Sequence, residues 1–224
     1  MTTITSTSYF TYGSLYIPNA QGATGALNAS TNGIEPIIAR YEREVIINGL
    51  NKDIYDLLIE RIEQREAIIT PDPNYVNDYL DYLLDGQTYD YEGKTYTFKG
   101  LLAEDGLLPF YIFNRYLNDN FGKLGMDAMT VDSSSSAQII DATPKDVETW
   151  NVFVMQYQGD AYANNSYPVE RYFRGGIMLD YYREDARSGF VDLLTYVDHY
   201  EALNEGTYSD LNRFIYERKN SFGL

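Results

Sequence analysis

His199 is the only histidine in the chain, and histidine is the side chain whose ordinary pKa lies closest to neutrality. A metal pair, a proton relay or a nucleophile triad would need it beside a second histidine or a serine motif. Its neighbours are acidic and aromatic instead. A surface or helix-edge role is therefore expected. Carboxylates number 33, so adjacent pairs such as Glu104 with Asp105 and Glu184 with Asp185 arise without specifying anything. Acid–base work needs two groups whose environments push their pKa values apart. Asp72, Asp78, Asp81 and Asp85 do not follow the DxDxDG calcium spacing and read as a solvated helix face. Neither GxxxxGK[ST] nor GxGxxG occurs, and Gly22-Ala23-Thr24-Gly25 and Gly175-Gly176 lack the strand and helix context of a phosphate loop. With no cysteine, thiolate ligands, disulfides and a cysteine nucleophile are excluded. The sequence predicts no catalytic residue, no cofactor and no metal site, and a carboxylate-based hydrolase is the distant alternative.

What the chain has in abundance is tyrosine, 23 residues against one tryptophan. Tyrosine combines a rigid apolar ring with one hydroxyl, which suits both helix packing and interfaces. The net charge of −16 would repel phosphate backbones over most of the surface. Nucleic-acid binding is not expected, although an acidic wall suits a tunnel that passes DNA without gripping it. The opening Met1 to Ser8 lacks the basic start and apolar run of a signal peptide, and no stretch approaches the roughly 18 apolar residues of a membrane span. A soluble chain made in a cytoplasm, with no membrane partner, is expected.

The elements follow from periodicity. Residues 1–34 are rich in Thr, Ser, Asn, Gly and Ala, punctuated by Tyr9, Phe10, Tyr12 and Tyr16, and read as an extended N-terminal arm. Those aromatics order either against a neighbouring surface or back on the chain's own domain. Residues 35–160 read as a helical core. Pro36 opens a first helix carrying Ile37, Ile38, Tyr41, Val45 and Ile46, and Asn48-Gly49 ends it. A second helix carries Ile54, Tyr55, Leu57, Leu58 and Ile62, and a third carries Tyr75, Val76, Tyr79, Leu80, Leu83 and Leu84. Short connections make the three an antiparallel bundle.

At 87–99 the period falls to 2 and predicts a β-hairpin turning at Glu92-Gly93, with Tyr89 opposite Tyr96 on a face shared with Tyr91 and Phe98. Leu107 to Leu117 is the apolar core helix, and Phe121 to Ala142 reads as a long loop. Thr143-Pro144 starts a further helix with Asp146 in its first turn and Val147, Trp150, Val154 and Tyr157 as its buried stripe. Residues 161–224 are an irregular segment of short strands or packed loops, a helix with Phe190, Leu193, Leu194 and Val197, and a terminal helix capped by Ser209 and carrying Leu211, Phe214 and Ile215. A docking tail ends it, with Phe222 and Leu224 as its apolar side chains. The fold class is mainly α: a helical bundle with a β-hairpin, an N-terminal arm and a C-terminal tail. Tyr9, Phe10, Tyr12, Tyr16, Phe222 and Leu224 are the expected partner-binding residues.

Five pieces, in order, carry a resemblance: Ile34 to Glu42, Asn48 to Leu57, Gly106 to Leu117, Glu148 to Asn151, and Asn220 to Leu224. Together with the glycine-containing stretch after Leu117 they resemble head–tail connector proteins of tailed phages of Bacteroidetes, including crAss-like phages. The resemblance runs over most of the chain from Ile34 onward, and the arm and residues 160–187 have no counterpart in it. It implies a helical adaptor repeated in a dodecameric ring in the virion neck, bound to the portal protein and to the next neck or tail protein, with genomic DNA passing through the channel. Another neck component, such as a stopper or tail-completion protein, is the nearer alternative. Heterologous ring contacts need two different surfaces per subunit, which chain extensions can supply.

Overall fold

The computed structural model describes residues 2–17, 20–21, 33–67, 77–91, 93–121, 129–131, 138–140, 143–159, 190–208 and 210–219. Within them the chain is mainly helical, with one antiparallel hairpin and a second, shorter strand pair.

The body is built on α1 (Glu35–Gly49), α4 (Leu107–Phe121) and α5 (Thr143–Gln158), with α4 packed between the other two. Leu108, Tyr111 and Ile112 of α4 are wholly buried, as the width of its apolar stripe predicts. On α1 the predicted Ile38, Tyr41, Val45 and Ile46 all face the core. Pro36 lies in its first turn, where a missing amide hydrogen costs nothing. Helix α2 (Lys52–Ala67) follows after Leu50 and Asn51. The Ile54 amide donates to Oδ1 of Asn51 at 2.7 Å, so Asn51 caps it. Helix α3 (Tyr79–Asp85) opens on a reciprocal capping box between Asp78 and Asp81. The predicted helical positions Tyr75 and Val76 lie outside the described residues.

Strands β1 (Gln87–Tyr91) and β2 (Lys94–Phe98) pair with Tyr89 opposite Tyr96, the register expected from the alternation. Their aromatic face lies on α6 (Leu193–Leu203): Phe98 stacks on Tyr196 with ring centroids 4.3 Å apart. Asp192 caps α6 by accepting from the Thr195 amide at 2.9 Å.

Three expectations need correction. The stretch Phe121 to Ala142 is not all loop, because β3 (Met129–Val131) and β4 (Gln138–Ile140) form an antiparallel pair within it. The alternation of three residues per strand is too short to stand out from loop sequence. Residues 2–17 are not an extended arm. They form two 3-10 turns, Thr7–Phe10 and Gly13–Leu15, and bury Ile4, Phe10, Leu15 and Ile17 in the main core.

The predicted terminal helix is the third. Leu211 to Lys219 is an irregular strap whose backbone amides serve another helix. Amides of Asn212, Arg213 and Phe214 donate to the carbonyls of Leu50, Gly49 and Asn48 at 2.6, 3.0 and 2.9 Å. The end of α1 needs those donors, since its last carbonyls have no partner within the helix. Asn212 also donates through Nδ2 to the Ile47 carbonyl at 2.7 Å. The predicted strands or packed loops before Arg187, the cap Ser209, and Phe222 and Leu224 lie outside the described residues.

Candidate interaction surfaces

The chemistry-bearing residues of the sequence take structural places. His199 is buried rather than at a surface, its ring stacked on Tyr89 at 4.2 Å and edge-on to Tyr91 at 5.2 Å. Burial lowers its pKa from the ordinary imidazole value. Of the four aspartates, Asp81 is fully buried and faces guanidinium groups rather than water. Arg65 donates to it through Nε at 3.0 Å and through its terminal nitrogen at 2.6 Å, and reaches Asp85 at 2.7 Å. Arg61 pairs with Asp78. The cation these carboxylates hold is therefore arginine, and Arg65 is raised above its ordinary pKa by their hydrogen bonds, Asp85 first. Asp72 lies outside the described residues, as do Glu184 with Asp185 and both glycine pairs. Among the described residues no group of three or more His, Cys, Asp or Glu side chains could hold a metal ion, and no helix is long and apolar enough to cross a membrane.

The N-terminal segment is tied down by one carboxylate. Glu42 of α1, with no exposed surface, accepts from the Ile4 amide at 3.0 Å and from the Thr5 amide at 3.0 Å. Burial pushes its pKa up to about 7, against the pull of the two amides in the other direction. Tyr9 is half-buried and donates to the Leu102 carbonyl at 2.8 Å. Phe10 is 0% exposed, so its ring belongs to the chain's own core and is not open to a partner in this arrangement. Tyr12 and Tyr16 stand out at 58% and 55% exposed. An open groove of about 350 Å³ runs beside Tyr12, between Tyr9, Leu15, Glu104 and Phe110. Of the six expected partner-binding residues, Tyr12 and Tyr16 are thus open, Tyr9 partly so, and Phe222 and Leu224 outside the described residues.

A second surface, missed by periodicity, is the strap seated along α5. Tyr216 exchanges two bonds with the side-chain amide of Gln158: its amide donates to Oε1 at 2.8 Å and its carbonyl accepts from Nε2 at 2.8 Å. Lys219 does the same with Asn151, both bonds at 2.9 Å. Between them Trp150 Nε1 donates to the Glu217 carbonyl at 2.6 Å, and the Tyr157 hydroxyl donates to the Phe214 carbonyl at 2.9 Å. The Tyr216 ring fills an aromatic pocket, 5.0 Å from both Phe153 and Tyr157 and 5.6 Å from Trp150. Lys219 ends the run in an ion pair with Asp146 at 2.7 Å. Asp146, expected to serve the helix N-terminus, thereby also anchors the strap. The available signal was the pair Asn151 and Gln158, amide side chains two helical turns apart on one face of α5.

Comparison of the chain with protein-family models, curated proteins and solved structures finds no match.

Proposed function

We propose that this chain is a non-enzymatic structural subunit of a tailed-bacteriophage virion, one copy of a ring-shaped head–tail connector adjoining the portal. One observation carries the reading. Four of the five sequence pieces that resemble connector proteins fall on α1, the α1–α2 junction, α4 and α5, which pack against one another, and the fifth, Asn220 to Leu224, lies outside the described residues.

Two further features fit a ring subunit. Tyr12 and Tyr16 on the N-terminal segment and Phe214 and Ile215 on the strap present apolar area to solvent on two chain extensions. A heterologous ring contact uses two such different surfaces. The strongly acidic balance, −16, suits a channel through which genomic DNA slides without specific binding. In this reading the partners are further copies of the chain, the portal protein and the next neck or tail protein.

The test is a cryo-electron microscopy map of the virion carrying this protein. A ring of this chain against the portal, with Tyr12 and Tyr16 buried between subunits, is the expected result. Absence of the chain from the virion overturns the reading, and a position elsewhere in the neck makes it a stopper or completion protein.

A further inference from the structure

The groove beside Tyr12 is both aromatic and acidic. Tyr9, Tyr12, Leu15 and Phe110 line it together with the exposed carboxylates of Glu104 and Asp105. Asp105 is neutralised by Lys99, whose ammonium pairs with it. Glu104 pairs with no cation among the described residues, and its carboxylate is oriented by a hydrogen bond from the Tyr12 hydroxyl. Aromatic faces beside an uncompensated carboxylate favour a flat, weakly hydrated cation, a guanidinium above an ammonium.

The chain carries such cations on a separate surface. Arg40 and Arg43 stand three residues apart on the exposed side of α1. Each guanidinium lies by a tyrosine ring, Arg40 at 5.0 Å from Tyr41 and Arg43 at 5.9 Å from Tyr55, and neither pairs with a carboxylate among the described residues. Glu44, one turn on from Arg40, is already taken by Arg115 and the Tyr111 hydroxyl. Acidic side chains outnumber basic ones 33 to 17, and other cations such as Lys52, Arg61 and Lys145 each find one. Two neighbouring arginines without a carboxylate are therefore an exception. Tyr41, beside Arg40, bonds Asp119 of α4, nine residues or roughly 13 Å of helix from Phe110 in the groove. One copy thus presents a cation site and unpaired arginines at two places, which is the pairing of unlike surfaces that a head-to-tail contact between copies requires.

We infer that in the assembled state the Arg40–Arg43 face of α1 in each copy lies in the Tyr12–Glu104 groove of the next copy of the same chain, a guanidinium meeting the Glu104 carboxylate and the Tyr12 ring. The contact deepens the ring reading above, on which its place in an assembly rests.

Charge exchange supplies the test, with self-association measured by sedimentation. Glu104→Arg makes both surfaces basic, and Arg40→Glu with Arg43→Glu makes both acidic. All three sites are exposed, so melting temperatures should stay at the native value, which separates contact from folding. Each variant alone should associate about tenfold or more weakly than the native chain, because like charges then face one another. An equimolar mixture of the two should recover association, since each groove meets the opposite charge on the other variant. A single chain carrying all three changes should recover it as well. Association that neither variant weakens, or that neither the mixture nor the triple variant recovers, overturns the contact. A native chain that stays monomeric at every concentration overturns it too. The virion map judges the ring separately: a ring whose subunit boundaries bury other surfaces overturns this contact alone, whereas absence from the virion overturns the ring reading whatever sedimentation shows.

Discussion

Gly49 and Tyr157 occupy one another's space: a Cβ at Gly49 would lie 2.7 Å from the Tyr157 ring and 2.8 Å from its hydroxyl. The ring cannot step aside, because it is wholly buried between Phe153 and Tyr216 and its hydroxyl donates to the Phe214 carbonyl. Gly49 is thus the point at which α1, α5 and the strap meet. Replacing a helical glycine with alanine ordinarily gains up to about 1 kcal/mol of helix propensity. Here overpacking should outweigh that gain, and Gly49→Ala is expected to lose about 1–3 kcal/mol. Urea unfolding checks it. Gly93 at the hairpin tip has open space around its Cβ position but a φ of +75°, so alanine there would be strained by backbone conformation and not by a clash.

Arg65 neutralises a carboxylate that has no access to water, since Asp81 is fully buried. Without Arg65 the buried Asp81 carboxylate still has Arg61 at 3.9 Å and the Asp78 amide, so Arg65→Met should cost up to about 3 kcal/mol, short of leaving the charge wholly uncompensated. Arg65→Lys keeps the charge but loses the fork that serves Asp81 and Asp85 at once, and should fall between the two. Equal urea midpoints for the lysine and methionine variants would mean that the fork, not the charge alone, is what the site requires.

The parts of the fold legible in the sequence are those written as side-chain periodicity. Ile38, Tyr41, Val45 and Ile46 repeat at helical spacing, and Tyr89 opposite Tyr96 follows from alternation about Gly93. The strap was illegible because its identity lies in main-chain bonds. Leu211, Phe214 and Ile215 have helical spacing, yet the amides a helix would use are drawn to the carbonyls of Asn48, Gly49 and Leu50. Asn151 and Gln158 look like ordinary solvent-facing positions until the chain they clamp is in place. Phe10 and Ile17 sit in sequence that resembles a free arm, and only the buried Glu42 carboxylate, distant in the chain, makes their burial intelligible. Of the candidate surface residues, exposure singles out Tyr12 and Tyr16, which nothing local distinguishes from Phe10.

Tyr12 and Tyr16 should separate assembly from folding. Deleting the segment would remove Phe10 and Ile17 from the core, so side-chain substitution is the cleaner experiment. Tyr12→Ser with Tyr16→Ser is expected to change unfolding free energy by no more than about 0.5 kcal/mol per site, as exposed substitutions do. Self-association measured by sedimentation should weaken. Unchanged association would remove these two rings from the interface.

Glu42 and His199 pull the stability–pH curve in opposite directions. Burial raises the Glu42 carboxyl from 4.5 to about 7. Below 4.5 it is protonated in folded and unfolded chains alike. Between 4.5 and 7 the unfolded chain ionises while the folded chain keeps its proton, so this group's contribution is present at low pH and lost as pH rises, by roughly 3 kcal/mol in total. His199 behaves oppositely: its folded pKa lies below the ordinary 6.5, so the unfolded chain takes up a proton first and stability falls as pH drops below that value. In the native chain the two slopes partly cancel. Glu42→Gln should unmask the histidine, giving a melting temperature that falls as pH is lowered from 6.5. His199→Phe should keep the stack on Tyr89 and unmask the carboxylate, giving a melting temperature that rises over the same descent. Parallel melting profiles for the two variants between pH 4.5 and 7 would mean that neither group titrates differently in the folded chain. The carboxylate would then be held ionised by the Ile4 and Thr5 amides alone.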